Sequence, residues 1–251
     1  MDIKGAVLAV HVVLSTRRIQ YAVGGRYAIE VLYSTGPDGP EYDTPLNTLT
    51  VFVDCEKEYV VNALINSNQP FGLTSVMGLV YDPVGNPANV FFGPGRYVIS
   101  HRGALSKNNS QQDVEYISAD PIYIEVLQSQ RDPYYFPWIS WAPKLRRPIN
   151  SILDIYVLHP KVFVIIMARL WNFTPRESDA MRYLADVRLL LRWLAQESLE
   201  IDFACYRGTP KPNLLRTFGS LYALHDDVRE LLRNTMKPAD LVLARDFDLY
   251  F

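Results

Sequence analysis

The stretch Ile19-Gln20-Tyr21-Ala22-Val23-Gly24-Gly25-Arg26-Tyr27-Ala28-Ile29-Glu30-Val31-Leu32 decides the fold. It reads as a short buried strand over 19–23, a two-glycine turn, and an apolar helix over 26–34. Glycine suits that turn because the chain must reverse tightly there, and because backbone amides at a helix start can then lie open to a ligand. Two glycines between a strand and a helix more often make only a turn. Later strands of the chain therefore have to supply the rest of any site.

Outward from this stretch, residues 3–17 suit a helix, and Ser34 to Pro40 read as a loop. Residues 48–53 (Thr-Leu-Thr-Val-Phe-Val) are β-branched and aromatic and predict a strand. Asp54 is expected to cap a helix over 56–66, with Glu56 and Glu58 in its first turn. Residues 76–82, 87–92, 95–100 and 121–128 read as further strands, and 102–113 as a polar surface loop. Residues 129–150 form an aromatic, proline-broken connector. A last strand is expected over 152–158, and His159-Pro160 opens a helix over 161–172. Residues 176–197 have the period of a long amphipathic helix. Leu184, Val187, Leu190, Leu191 and Leu194 share one face, and Arg182, Asp186 and Arg192 fall elsewhere. Two more helices are expected at about 211–223 and 227–235. The fold class is α/β (α+β): a mixed sheet flanked by helices over 1–150, then a final strand and a helical region over 151–251.

The chain has 251 residues, 49% hydrophobic and 21% charged, with a net charge of −2. This is ordinary globular composition. The absence of a basic excess argues against nucleic acid as partner. Two cysteines, Cys55 and Cys205, make no disulfide framework, so a reducing, cytoplasmic setting is expected. The apolar run over 5–14 contains His11, has one positive charge before it and no small-residue cleavage site after it. It is also too short to span a bilayer, so neither leader nor membrane partner is expected.

The order of elements resembles the minimal nucleotidyltransferase fold, and more narrowly the fungal relatives of the nucleotidyltransferase component of abortive-infection and toxin–antitoxin systems. The motifs that carry the likeness lie in the second half: Leu158-His159-Pro160 before a helix; Asp186-Val187-Arg188-Leu189-Leu190-Leu191-Arg192-Trp193-Leu194; and Ile201-Asp202-Phe203 with Tyr206-Arg207-Gly208-Thr209-Pro210-Lys211-Pro212. The resemblance implies that the glycine turn faces nucleotide phosphates. It also implies an Asp-x-Asp on the next strand and a third carboxylate on a later strand, together holding two Mg²⁺ ions. The implied pair falls on Thr48-Leu49-Thr50 and the third position on Glu125. A threonine hydroxyl offers a neutral oxygen, not the charge of an aspartate, so two-metal nucleotidyl transfer should be lost. A shifted alignment would leave Asp54-Cys55-Glu56, at the strand's end, as the nearby acid pair.

Strand alternation puts Tyr123 and Glu125 on one face and Ile122, Ile124 and Val126 on the other. Glu125 is either a solvated edge carboxylate or a pocket carboxylate able to move a proton. Thr48, Thr50 and Tyr123 are candidate hydrogen-bond donors beside it. Gly24, Gly25 and Arg26 are candidate ligand-binding residues, as are Tyr134 and Trp138 of the connector, which would act as an aromatic lid suited to an apolar molecule. The four histidines lack metal-ligand spacing, and no metal or other cofactor is expected. Cys55 sits near a helix start, where a thiolate is favoured, but both cysteines read mainly as buried small hydrophobes. The leading function is a metal- and cofactor-independent isomerase or cyclase, a [4+2] cyclase being one concrete case, acting on a mostly apolar small molecule in fungal secondary metabolism. A nucleotide- or partner-binding pseudoenzyme and an active transferase with displaced acids are the alternatives.

Overall fold

The computed structural model describes residues 3–33, 48–69, 71–74, 78–81, 86–90, 99–102, 122–131, 136–149, 153–207 and 209–247. In chain order the elements are α1 (Ile3–Thr16), β1 (Tyr21–Gly24), α2 (Gly25–Tyr33), β2 (Thr48–Val53), α3 (Lys57–Ile65), β3 (Phe71–Thr74), β4 (Gly78–Tyr81), β5 (Asn86–Val90) and β6 (Ile99–Arg102). They continue with β7 (Ile122–Gln128), β8 (Lys144–Pro148), β9 (Asp154–Leu158), α4 (Pro160–Phe173), α5 (Glu177–Gln196), α6 (Lys211–Leu224), α7 (Asp226–Thr235) and α8 (Pro238–Asp246). The strands take the order β5-β6-β3-β4-β7-β2-β1-β9-β8 in one mixed sheet.

The chain divides into two compact units, each made of three stretches of sequence. The first holds Met1–Ala28, Glu41–Gln128 and Arg146–Ile155. There β1 runs antiparallel to β2, β2 parallel to β7, and β7 antiparallel to β4. Helices α1 and α3 pack on each other and on β2, β3 and β7. Leu49, Val51, Phe52 and Val53 are all buried, so β2 is covered on both faces. That explains a near-continuous apolar run instead of an alternating one. On β7 the expected alternation holds: Ile122, Ile124 and Val126 are buried, and Glu125 is exposed.

The second unit holds Ile29–Pro40, Ser129–Leu145 and Tyr156–Phe251. Its core is helical. Val162 to Ala168 of α4 are nearly all inaccessible, as are Leu184, Val187, Leu190, Leu191 and Leu194 of α5. Asp186 lies at the border of that stripe, one turn before Leu190, and is buried rather than solvated. His159 caps α4: its Nδ1 accepts the Lys161 amide at 3.2 Å, which leaves the first helical position to Pro160. Gly219 lets α6 cross α8 closely, because a Cβ there would stand 2.3 Å from the Ala244 carbonyl oxygen.

Several sequence expectations need correction. Asp54 does not cap α3; Glu56 occupies that position and makes no side-chain cap bond. Strands β3 and β8 and helix α8 are not anticipated by the residue pattern. β3 is a four-residue strand with a glycine inside it, and β8 is Lys-Leu-Arg-Arg-Pro, which carries no strand signature at all. The loops expected over 34–40 and 102–113 lie outside the described residues, except for Arg102, which ends β6.

Candidate functional site

Strand β1 passes into α2 with no intervening residue: Gly24 ends the strand and Gly25 begins the helix. The reversal is made by Gly25, whose φ of +64° lies in the left-handed region. Both glycines are also demanded by packing. A Cβ on Gly24 would stand 2.2 Å from Cε2 of the fully buried Phe52, and one on Gly25 would stand 2.6 Å from Oγ1 of Thr50. The antiparallel register sets Gly24 opposite Thr50. The glycine pair is therefore fitted to the side chains of β2, a requirement the local sequence does not reveal.

The parallel register of β2 and β7 sets Thr48 beside Tyr123 and Thr50 beside Glu125. Thr50 is 7% exposed and its Oγ1 donates to Oε2 of Glu125 at 2.9 Å. Glu125 itself is exposed, as is Thr48, and Tyr123 and Arg26 are half-buried. Gly24, Gly25, Thr50 and Glu125 thus meet at one corner of the first unit, with Thr48 and Tyr123 paired one step along the same strands. Arg26 comes next, in the first turn of α2.

Trp138 belongs to the connector of the second unit and is 43% exposed. Tyr134 lies outside the described residues. The Cys55 thiol is pushed up by burial and by its neighbours Asp54 and Glu56, although a backbone hydrogen bond works the other way. This removes the thiolate reading of Cys55. In the second unit, Cys205 donates its thiol to Oδ2 of Asp202 at 2.9 Å. Burial and that carboxylate push its pKa up to about 11, so it too is an inert thiol. Asp202 is held low: burial opposes this, but hydrogen bonds from Cys205 and the amides of Ala204 and Cys205 outweigh it. Among the described residues no group of three or more His, Cys, Asp or Glu is placed to hold a metal ion, and no helix is long and apolar enough to cross a membrane.

Sequence reasoning missed the role of Phe52, the steric reason for Gly24. Nor did it foresee that Gln130, Trp141 and Arg207 come together in the second unit. An unbroken apolar strand opposite a glycine was the only available hint of the first. The second depends on contacts between residues 77 apart in sequence.

No family model matches the sequence, and no curated protein matches it. Among solved structures, the chain is similar to an antigenic nucleotidyltransferase-like protein from Paracoccidioides brasiliensis, at 13% identity and a TM-score of 0.56. The match covers 95% of this chain and 96% of that one. A second match is the solution structure of the antibiotic-resistance factor ANT(2'')-Ia, at 11% identity and a TM-score of 0.44, over 92% of this chain and 99% of that one. The first likeness spans nearly the full length of both chains. At this identity it speaks to architecture alone: the chain has a nucleotidyltransferase-like fold.

Proposed function

We propose that this chain is a nucleotidyltransferase-fold protein repurposed for metal- and cofactor-independent chemistry on a mostly apolar small molecule, with Glu125 as its proton-transfer group. The observation that carries the reading is the Thr50–Glu125 hydrogen bond beside Gly25. Two-metal transfer needs clustered hard anionic oxygens. Among the described residues this corner does not fit that requirement: it brings one carboxylate, and one of its oxygens already accepts from the Thr50 hydroxyl.

The same hydrogen bond narrows the reaction class. Thr50 spends its only hydroxyl proton on Glu125, so it is not the donor to a substrate carbonyl that a [4+2] cyclase would need. Its effect is to orient the carboxylate, whose remaining lone pairs face the exposed side. A carboxylate so held takes a proton from a carbon next to an unsaturated group and returns it to another carbon of the same molecule. Such an isomerisation is balanced without oxidant, reductant or leaving group. Tyr123, on the same strand face two residues away, and Thr48 beside it are the hydroxyls left to polarise a carbonyl. A cyclisation begun by such a deprotonation uses the same groups.

The alternative is a pseudoenzyme that binds a nucleotide without turnover. The positive φ of Gly25, the start of α2 and the adjacent Arg26 favour an anion there. The packing of Thr50 against Gly25 weakens that reading, because it explains the glycine without a ligand. Thermal shift with ATP, GTP and CTP, each with and without Mg²⁺, separates these. No response that needs Mg²⁺ is expected, and none that Arg26→Ala removes. Metal-free stabilisation that Arg26→Ala removes would favour the pseudoenzyme, and stabilisation that needs Mg²⁺ would overturn the proposal. For a neutral ligand found by the same assay, Glu125→Gln should keep binding and abolish turnover.

A further inference from the structure

We propose that Trp141, Trp138 and Arg207 form a binding site for a flat aromatic group that carries an anionic substituent. All three belong to the second unit, and the inference does not rest on the Thr50–Glu125 reading. Trp141 is 65% exposed and Trp138 43%, an unusual pair of open indoles within four residues. The Arg207 guanidinium lies over the Trp141 ring, 4.4 Å from its centroid. Among the described residues no acceptor takes a proton from that guanidinium or from either indole N–H.

An exposed tryptophan under an arginine is ordinary surface packing when both are loosely held. These are not. Gln130 sits at φ +58°, a left-handed conformation that costs a non-glycine residue energy and persists only where the surroundings enforce it. Its amide donates to the Phe136 carbonyl at 3.0 Å. Its side-chain Nε2 donates to that same carbonyl at 2.7 Å and to the Arg207 carbonyl at 2.8 Å. One strained residue thus ties the start of the tryptophan-bearing segment to the backbone of the arginine. The segment is anchored below by the buried Phe136 and Ile139. The amides of Trp141 and Ala142 close a turn on the Trp138 carbonyl, and Lys144 Nζ donates to the Ile139 carbonyl. The platform is assembled before any ligand arrives, so little ordering is left for binding to accomplish.

The chemistry of the partner comes from the groups on offer. An indole face accepts a flat π-system. A guanidinium already stacked on that indole keeps its in-plane N–H donors for a carboxylate or phosphate, and it does so as a planar fork. Ring and anion are then recognised side by side. An aromatic carboxylic acid and a nucleoside monophosphate both have this shape.

With only four tryptophans in the chain, the indole region of a ¹H–¹⁵N spectrum resolves the site directly. The protein would be titrated with 2-naphthoate and with AMP, and in parallel with 2-naphthylmethanol, which lacks the charge, and cyclohexanecarboxylate, which lacks the ring. Saturable shifts of the Trp138 and Trp141 indoles are expected with at least one of the two aromatic anions, and affinity about tenfold weaker for both controls. A response to naphthoate alone identifies an acid site, and a response to AMP a nucleotide site. Arg207→Gln should weaken binding about tenfold and Arg207→Lys nearly as much, because the lysine keeps charge but not the planar fork. Trp141→Ala should abolish it; the residue is exposed, so the fold should tolerate the change. The proposal is overturned if neither anion gives saturable shifts, if the controls bind equally well, or if only the Trp171 and Trp193 indoles respond.

Discussion

In the strand-built unit the buried polar side chain at the candidate site is neutral, Thr50, and the charge it touches, Glu125, is exposed. In the helical unit full charges are buried: Arg169, Asp186 and Asp240 are 5%, 4% and 6% exposed. A buried charge is tolerated only with partners. Asp240 has Lys211 Nζ at 2.6 Å, and the Arg169 guanidinium lies 5.2 Å from the Phe173 ring centroid and 5.8 Å from that of Tyr206. Burial pushes the Tyr206 phenol up, an effect that Arg169 partly offsets. The contrast teaches that this chain can hold ionisable side chains in its interior where helices bring partners, whereas the buried polar group of the strand corner is a hydroxyl. There the Thr50 hydroxyl donates to the Glu125 carboxylate, and the glycine pair leaves no room for a side chain against Phe52 and Thr50.

The sharpest way to break the comparison is to press on the tight glycines of both units. Gly24→Ala drives a methyl into the immobile Phe52 ring, and Gly219→Ala drives one into the Ala244 backbone. Each should cost about 3 kcal/mol in urea unfolding, because neither neighbour can retreat without moving an element. If Gly24→Ala were neutral, the close fit of the corner would be lost as an argument. Next, Asp240→Ala should cost about 1–2 kcal/mol; half the side chain of Lys211 is solvated, which limits the loss. Thr50→Val keeps the shape and removes the donor, and should cost about 1 kcal/mol. A much larger loss would mean that Thr50 does more than orient Glu125.

Two smaller effects sharpen the picture. Both cysteines should resist alkylation by iodoacetamide at pH 7, since each thiol is raised; rapid labelling of Cys55 would restore its thiolate reading. The His11 and His225 side chains titrate below their ordinary 6.5. Burial is the main cause in both, helped at His225 by Arg188 and opposed by Asp227. His11 Nδ1 also pairs with the Tyr21 hydroxyl at 2.6 Å, and the His225 ring meets Trp171 edge-on. A histidine whose folded pKa is lowered binds its proton more readily when unfolded. Stability should therefore fall as pH drops below 6.5 and level off below the folded values. Replacing both by asparagine should flatten that slope in urea titrations between pH 7 and 5.

Much of the architecture was legible in the residues themselves. Helix α1, strand β2 and helices α4 to α7 appear where periodicity, β-branching and proline placement put them, because those signals are local and strong. The misses have physical reasons too. Lys144-Leu145-Arg146-Arg147-Pro148 becomes a strand through its neighbours in the sheet, against its own propensity. Asp186 is drawn inside because it borders an apolar stripe that the bundle closes over.

By itself the sequence determined that a strand turns through Gly24-Gly25 into a helix, that Thr48 and Thr50 occupy the next strand, and that Glu125 shares a strand face with Tyr123. Those facts come from backbone freedom, β-branching and the period of two. Only the tertiary structure decided that the glycines are required by Phe52 and Thr50, and that the Thr50 hydroxyl belongs to Glu125. It alone also brought Trp141 and Arg207 together under the clamp of Gln130. Each of these rests on register and on contacts between distant residues, set by how the strands and helices pack rather than by any neighbour in the chain.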